Sequence, residues 1–336
     1  GNVLKWDNAS AGQWKILRIG MTPTGQTNRP ATPDARGLEV DKLSKKALRS
    51  HFDAYMGKMI KSMTLDERKS LKRVIADSYE TGPQNWTEDM KESFEETYGY
   101  DPTPWLATLT GNIVNSAEES DRFLWDIRRL IADKVADEYV GGLRDICEEY
   151  GVSMWLENYG HFGFPSEFLK YGGRADEIGG EFWIHRQGPE SKLAASASHI
   201  YGKNRVYAES YTSREVPFSV SPVRLKKSGD WSYTQGVNQG ILHVYIHQPY
   251  EDKFPGMNAW FGTEFNRNNT WFAQSKEWIT YQRRNYFLLQ QGKHVAYVCF
   301  YIGEESPKMR GWVDQNLSAG YEYDFINAEI ITEQTK

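Results

Sequence analysis

Apolar residues along this chain recur in two periods, and the two alternate. Short runs that suit buried strands occupy residues 14–20 (WKILRIG), 73–76, 152–156, 181–184, 205–208 and 241–246. Between them, apolar positions spaced three and four apart predict helices. One covers residues 43–63 with Leu48, Phe52, Tyr55, Met56, Met59 and Ile60 on one face. A second starts near residue 87, with Thr87 as its N-cap and Gly99 as its stop. The clearest follows Ser116, which has capping-box spacing to Glu119, and carries a stripe from Phe123 to Cys147 with a break expected at Gly141-Gly142. Further helices are expected over 191–201 and 276–291, and another strand over 294–302. Strands alternating with helices predict a parallel sheet. Repeated polar strand ends narrow that to an α/β fold of the (β/α)8 TIM-barrel type, with about six of its strands in this chain. Residues 1–292 would form the barrel domain, incomplete at its N-terminal end, and 293–336 the start of a following α/β domain.

The strand ends carry the candidate chemistry. RVIADSYETGPQNW runs apolar until Asp77 and Glu80, then turns at Thr81-Gly82-Pro83. Later runs end in Glu157-Asn158, contain Glu181, and end in Glu209-Ser210. On neighbouring parallel strands such carboxylates converge on one rim, where one protonated acid and one ionised base divide the work of cleaving a glycosidic bond. Each has a structural alternative: Glu157-Asn158 as a turn cap, Glu181 as an ion-pair partner of Arg186. Glu80 and Glu209 fit such alternatives least, since each follows a small apolar approach. His161, His199 and His247 fall on predicted rim segments and are candidates to bind sugar hydroxyls. Glu264, in WFGTEFNRNNTW, reads as structural.

Composition removes other classes. A net charge of -5 leaves no basic footprint for nucleic acid or an anionic membrane surface. No apolar run reaches the roughly 20 residues of a membrane span, and GNVLKWDNAS lacks the basic head and apolar core of a signal peptide. Cys147 and Cys299 are expected as unpaired core thiols, and no Cys/His spacing suggests zinc. GxGxxG, P-loop and GxSxG motifs are absent. With 12 Trp and 20 Tyr the chain has rings to spare for packing against sugar C–H faces.

The segments ILRIGMTPTG, ADSYETGPQNWT, YGYDPTPWL, RFLWDIRR, WLENYG, EFW, ASASHIYGK, AESYTS, HQPY and PGMNAWFG together resemble the glycoside hydrolase family 106 α-L-rhamnosidases. The resemblance runs nearly end to end and covers the middle of much longer family members. It implies inverting hydrolysis of terminal α-L-rhamnose from plant glycans such as pectic rhamnogalacturonan, by a periplasmic or secreted enzyme assisted by a calcium ion (Ca2+). By that analogy Glu80 is the general acid and Glu209 the general base. Glu157 and Glu181 become candidate calcium ligands, and Asp77, Trp86, Asn158 and the three histidines candidate substrate contacts. A rhamnose-containing glycoside is the implied partner. The alternative is a non-catalytic rhamnose- or carbohydrate-binding relative.

Overall fold

The computed structural model describes residues 4–7, 11–160, 163–303 and 320–334. In chain order it contains α1 (Lys45–Phe52), α2 (Lys58–Ser62), β1 (Arg73–Ala76), α3 (Met90–Tyr98), α4 (Ala117–Lys134), α5 (Gly142–Glu149) and β2 (Ser153–Glu157). There follow α6 (Phe168–Gly173), β3 (Glu177–Trp183), α7 (Glu190–Ile200), β4 (Val206–Thr212), α8 (Pro222–Thr234) and β5 (Gln239–Leu242). The described chain closes with α9 (Ser275–Leu289), β6 (Val298–Tyr301), β7 (Tyr323–Ile326) and α10 (Ala328–Glu333).

Strands β1 to β5 pair in chain order and are all parallel. They curl into a half-barrel, so the fold is α/β with five barrel-like strands among the described residues. The alternation of side chains then defines two faces. Val74, Ala76, Met154, Leu156, Ile178, Val206 and Ala208 are buried on the face that meets the helices. A Cβ on Gly180 would sit 2.8 Å from the Glu190 carbonyl oxygen, so the glycine lets α7 lie close on that face. The concave face carries the other set. Arg73 and Glu177 form an ion pair near its lower end. Above them Trp155 and Tyr207 make an edge contact with centroids 5.7 Å apart.

Several local expectations hold. Ser116 Oγ accepts from the Glu119 N–H at 3.1 Å, and Gly99 ends α3 with φ 76°. Others are corrected. Residues 14–20 form no strand; Trp14, Ile16 and Ile19 are exposed. An apolar run becomes a strand only where a neighbouring strand takes its backbone N–H and C=O groups, and no strand pairs with this stretch among the described residues. Thr87 does not cap α3: the N-cap is Asp89, and Thr87 Oγ1 donates to Asp41 at 2.7 Å. The expected break at Gly141-Gly142 is a change of winding instead, with π-helical turns over Val135–Gly141 joining α4 to α5. Cys147 is buried as expected, whereas Cys299 is exposed on β6; both are free thiols.

The segment beyond residue 292 packs against α7. Strands β6 and β7 are parallel, and Ile302 and Phe325 join the same core cluster as Leu169, Leu193 and Ala197. Arg174 donates two hydrogen bonds of 2.7 Å to Glu329, and Ser196 Oγ donates to Asp324 at 2.8 Å. No helix among the described residues is long and apolar enough to cross a membrane.

Candidate active site

Strand register gathers the acids. Ala76 is aligned with Leu156, which places Asp77 level with Glu157; Glu157 is aligned with Gly179, and two residues on Glu181 is aligned with Glu209. All four acids therefore project from the concave face, at the C-terminal ends of the strands. One carboxylate oxygen from each of Asp77, Glu157 and Glu209 lies within 4.8 Å of the other two.

Glu157 is almost wholly buried and accepts from the Ser78 backbone N–H at 3.0 Å. Burial, followed by sharing a hydrogen bond with Asp77 and by the charges of Glu209, Asp77 and Glu181, drives its pKa well above the usual carboxylate range. Glu209 is pushed up to about 7, first by burial and then by Glu181, Asp77 and Glu80, against a lowering hydrogen bond from Thr212. Glu181 also rises to about 7 through burial, with Glu190 and Glu80 adding to the shift and Trp183 and Arg186 opposing it. Glu80 lies on the exposed loop after β1 and accepts from Ser78 Oγ at 3.1 Å. Its charge bears on Glu181, Glu209 and Tyr159 alike, so it faces the same cleft.

Two further groups engage Glu209. Thr212 Oγ1 donates to its Oε1 at 2.6 Å, and His243 Nδ1 lies 3.5 Å from the same oxygen. Burial lowers the His243 pKa, favouring the neutral ring beside a carboxylate that is itself hard to ionise. Thr212 reaches Glu209 through a bulge: the register skips Tyr211, whose φ is 71°, so that Trp183 pairs with Thr212. Sequence reasoning missed both residues. The alternation Gln239, Ile241, His243 does put that histidine on the Glu209 face, but a strand drawn through residue 246 moved attention to His247.

The remaining expectations fall out unevenly. Glu181 is engaged by Trp183 Nε1 at 2.8 Å and by Arg186 at 3.2 Å, the ion pair anticipated as its structural role. Asn158 points the other way. It is fully buried, with Nδ2 donating to the Phe168 carbonyl at 3.2 Å. The absent Cβ of Gly172 makes room for it. His199 is in the last turn of α7, 3.0 Å from Asp324 and stacked on His294 at 4.0 Å, because α7 runs back toward the start of β4 and carries it away from the rim. Trp86 is half-buried against the core and lines a cavity of about 710 Å³ with Tyr79, Pro83 and Met21. None of the four clustered acids lines that cavity. His247 is exposed on the loop after β5, and His161 lies outside the described residues. Glu264 is structural, accepting from the Phe218 N–H at 2.9 Å and Asn258 Nδ2 at 2.8 Å.

As a donor set, Asp77, Glu157 and Glu209 suit a hard cation: three carboxylates crowd together, one deeply buried, with no cationic side chain among the main influences on its titration.

A parallel α/β half-barrel whose strand ends converge several carboxylates, two with pKa values near 7, has the architecture and acid–base chemistry of a glycoside hydrolase. The chain belongs to glycoside hydrolase family 106, whose sequence model, described as alpha-L-rhamnosidase, matches residues 1–336. It is 36% identical over 334 residues to a protein named putative beta-glucuronidase from Formosa agariphila, covering 98% of this chain and 28% of that protein. The structure of a rhamnosidase from Novosphingobium sp. PP1Y superposes with a TM-score of 0.84 at 35% identity, over 92% of this chain and 31% of that one. A beta-galactosidase from Rahnella sp. R3 shares the fold alone, with a TM-score of 0.51 at 14% identity over 85% of this chain and 49% of the other. The chain thus spans less than a third of the length of its family relatives.

Proposed function

We propose that this chain carries the acid–base core of an α-L-rhamnosidase that hydrolyses terminal α-L-rhamnosyl linkages with inversion. The observation that carries the reading is the convergence of carboxylates: Glu209, on β4, is gathered with Asp77 and Glu157 at one cleft, and the charge of Glu80, on the β1 loop, adds to the upward shift of Glu209. In this mechanism Glu80 protonates the leaving oxygen. Glu209, oriented by Thr212 and His243, takes a proton from the attacking water. Inversion needs carboxyl groups roughly 6.5–9.5 Å apart, to leave room for that water. The surrounding anionic groups stabilise the positive charge that develops at the anomeric carbon.

Asp77 and Glu157, with Glu209 at their border, are the residues that would hold a calcium ion (Ca2+), while Glu181 is already engaged by Trp183 and Arg186. When bound, the ion would neutralise the crowded carboxylates and coordinate sugar hydroxyls. The natural substrates under this proposal are rhamnose-bearing plant glycans such as pectic rhamnogalacturonan, met in the periplasm or outside the cell.

The test is hydrolysis of an aryl α-L-rhamnoside followed by NMR. The β-anomer of rhamnose should appear first. Initial release of the α-anomer would mean retention and remove the acid–base assignment. The name of the Formosa agariphila relative supplies a second reading, a β-glucuronidase. An aryl β-glucuronide in the same assay separates the two, and an inert protein that still binds rhamnose would instead be a binding relative.

A further inference from the structure

The rim above Glu181 and Glu209 closes into a ring of side chains. Trp183 Nε1 donates to Glu181 at 2.8 Å. The Arg214 guanidinium lies 5.1 Å from the Trp183 ring centroid and 5.3 Å from that of Trp260. Trp260 meets Phe261 edge-on at 4.8 Å, Phe261 stacks on His243 at 5.6 Å, and His243 returns to Glu209 at 3.5 Å. A continuous path of contacts therefore leads from one carboxylate out over the rim and back to its register partner.

Arg214 differs from the other cations nearby. It is exposed, and among the described residues it makes ring contacts but no hydrogen bond or ion pair. Arg186, also over the Trp183 ring at 5.5 Å, gives its charge to Glu181 at 3.2 Å and Glu190 at 3.3 Å. The acid next to Arg214 in the chain, Glu215, is taken by Arg224. Two indoles thus hold a planar guanidinium beside an acidic cleft with its N–H donors unspent. A guanidinium fixed in this way loses little freedom when a carboxylate accepts two parallel N–H bonds in its plane. The exposed Trp260 ring offers a flat face for the C–H surface of the same sugar.

We propose that Arg214, with Trp183 and Trp260, forms a subsite for an anionic sugar, so that the substrate is an acidic oligosaccharide carrying a uronate carboxylate next to the hydrolysed residue. This rests on the glycosidase reading above. Arg214 offers such a group a cation with free N–H donors at the edge of an acidic cleft, which sets the register of the chain of sugars as well as its affinity. A sulfate ester offers the same planar-fork recognition through its oxygens, and the ligands below separate the two sources.

Binding is measured by titration calorimetry with three disaccharides: rhamnosyl-glucuronate, rhamnosyl-glucose, and rhamnosyl-glucose sulfated at O6. The wild-type protein is expected to bind the uronate at least about 10-fold more tightly than the neutral sugar. That ratio, read within each variant so that a general loss of affinity cancels, should fall to near 1 in Arg214→Gln and be partly kept in Arg214→Lys. A sulfated ligand that outranks the uronate assigns the site to sulfate esters. Equal binding of charged and neutral disaccharides in the wild type, or a preference that survives Arg214→Gln, overturns the subsite. Failure to cleave aryl α-L-rhamnoside while the Arg214-dependent preference persists removes the rhamnosidase reading and leaves the subsite standing.

Discussion

Thr212 Oγ1 donates to Glu209 Oε1 at 2.6 Å from a strand position that simple alternation would turn to the opposite face. The bulge at Tyr211 makes the difference. With φ 71°, Tyr211 stays on the helix side, its hydroxyl donating to Gln282 at 2.9 Å, and Thr212 is carried back to the concave face. This hydrogen bond favours the ionised carboxylate and holds Glu209 lower than burial alone would. Thr212→Val should therefore raise the Glu209 pKa further above about 7 and move the acidic limb of the kcat/KM profile to higher pH. Thr212→Ser should leave that limb in place. An unmoved limb in Thr212→Val would show that another group sets it.

Glu80→Gln and Glu209→Gln should each slow hydrolysis of a natural linkage by about 10² or more. Their leaving-group dependence should differ. A dinitrophenyl rhamnoside needs no proton on its leaving oxygen, so it should restore most of the rate in Glu80→Gln and little in Glu209→Gln. The reverse pattern exchanges the two roles.

The clustered acids should make stability depend on pH and on cations. Glu181 and Glu209 have folded pKa values near 7, above the ordinary 4.5, and burial raises Glu157 well above that ordinary value too. Groups raised in this way stabilise the fold when protonated. Their contribution is complete below about pH 4.5 and is lost as pH rises through 7. With a chelator present, Tm should fall by several degrees between pH 5 and pH 8. Calcium should restore it at pH 8 and do little at pH 5. Glu157→Gln should raise Tm in chelator at pH 8 and shrink the calcium effect; an equal calcium response in that variant would place the ion elsewhere.

The β7–α10 segment should respond in the opposite sense. Burial alone would raise Asp324 and Glu329, but His199 and Ser196 outweigh it for the first and Arg174 for the second, and both end below their ordinary values of 3.8 and 4.5. Depressed carboxylates stabilise above the unfolded pKa and lose that contribution as pH falls through the folded one. Below about pH 4 the NMR amide signals of β7 should broaden before those of β3. Simultaneous loss would indicate one cooperative unit.

Gly179 stands between the acids and the layer beneath them. A Cβ there would run into the Trp155 ring and lie 3.1 Å from the Tyr207 Cβ. Gly179→Ala should cost about 1–3 kcal/mol through overpacking, read as a lower Tm. An unchanged Tm would mean that Trp155 can move aside.

Much of this was legible in residue order. Apolar runs and period-3.6 patterns located β1, β2 and β4, overlapped β3 and β5, and found α3, α4, α5 and α7 but not α6 or α8, because burying one face of a strand or helix demands that spacing whatever the partner. The acids at strand ends were legible for the same reason. Asp77, Glu157 and Glu209 sit where an apolar run stops, while Glu181 opens the run Phe182-Trp183-Ile184. What the pattern could not carry was the identity of the partner. Residues 14–20 look like a strand, yet no neighbouring strand among those described accepts their hydrogen bonds. Asn158 follows Glu157 directly, but the next residue of a strand points to the opposite face, so one acid enters the cleft while the amide beside it is buried behind the sheet. His199 reads as a rim residue until the direction of α7 carries it to Asp324. Thr212 and His243 reach Glu209, and Arg214 comes to rest between Trp183 and Trp260, only once the Tyr211 bulge and the packing of the 243–261 loop are in place. Spacing along the chain determines which face a side chain occupies; contacts between distant segments decide what it meets there, since those depend on register, bulges and helix direction that no local pattern encodes.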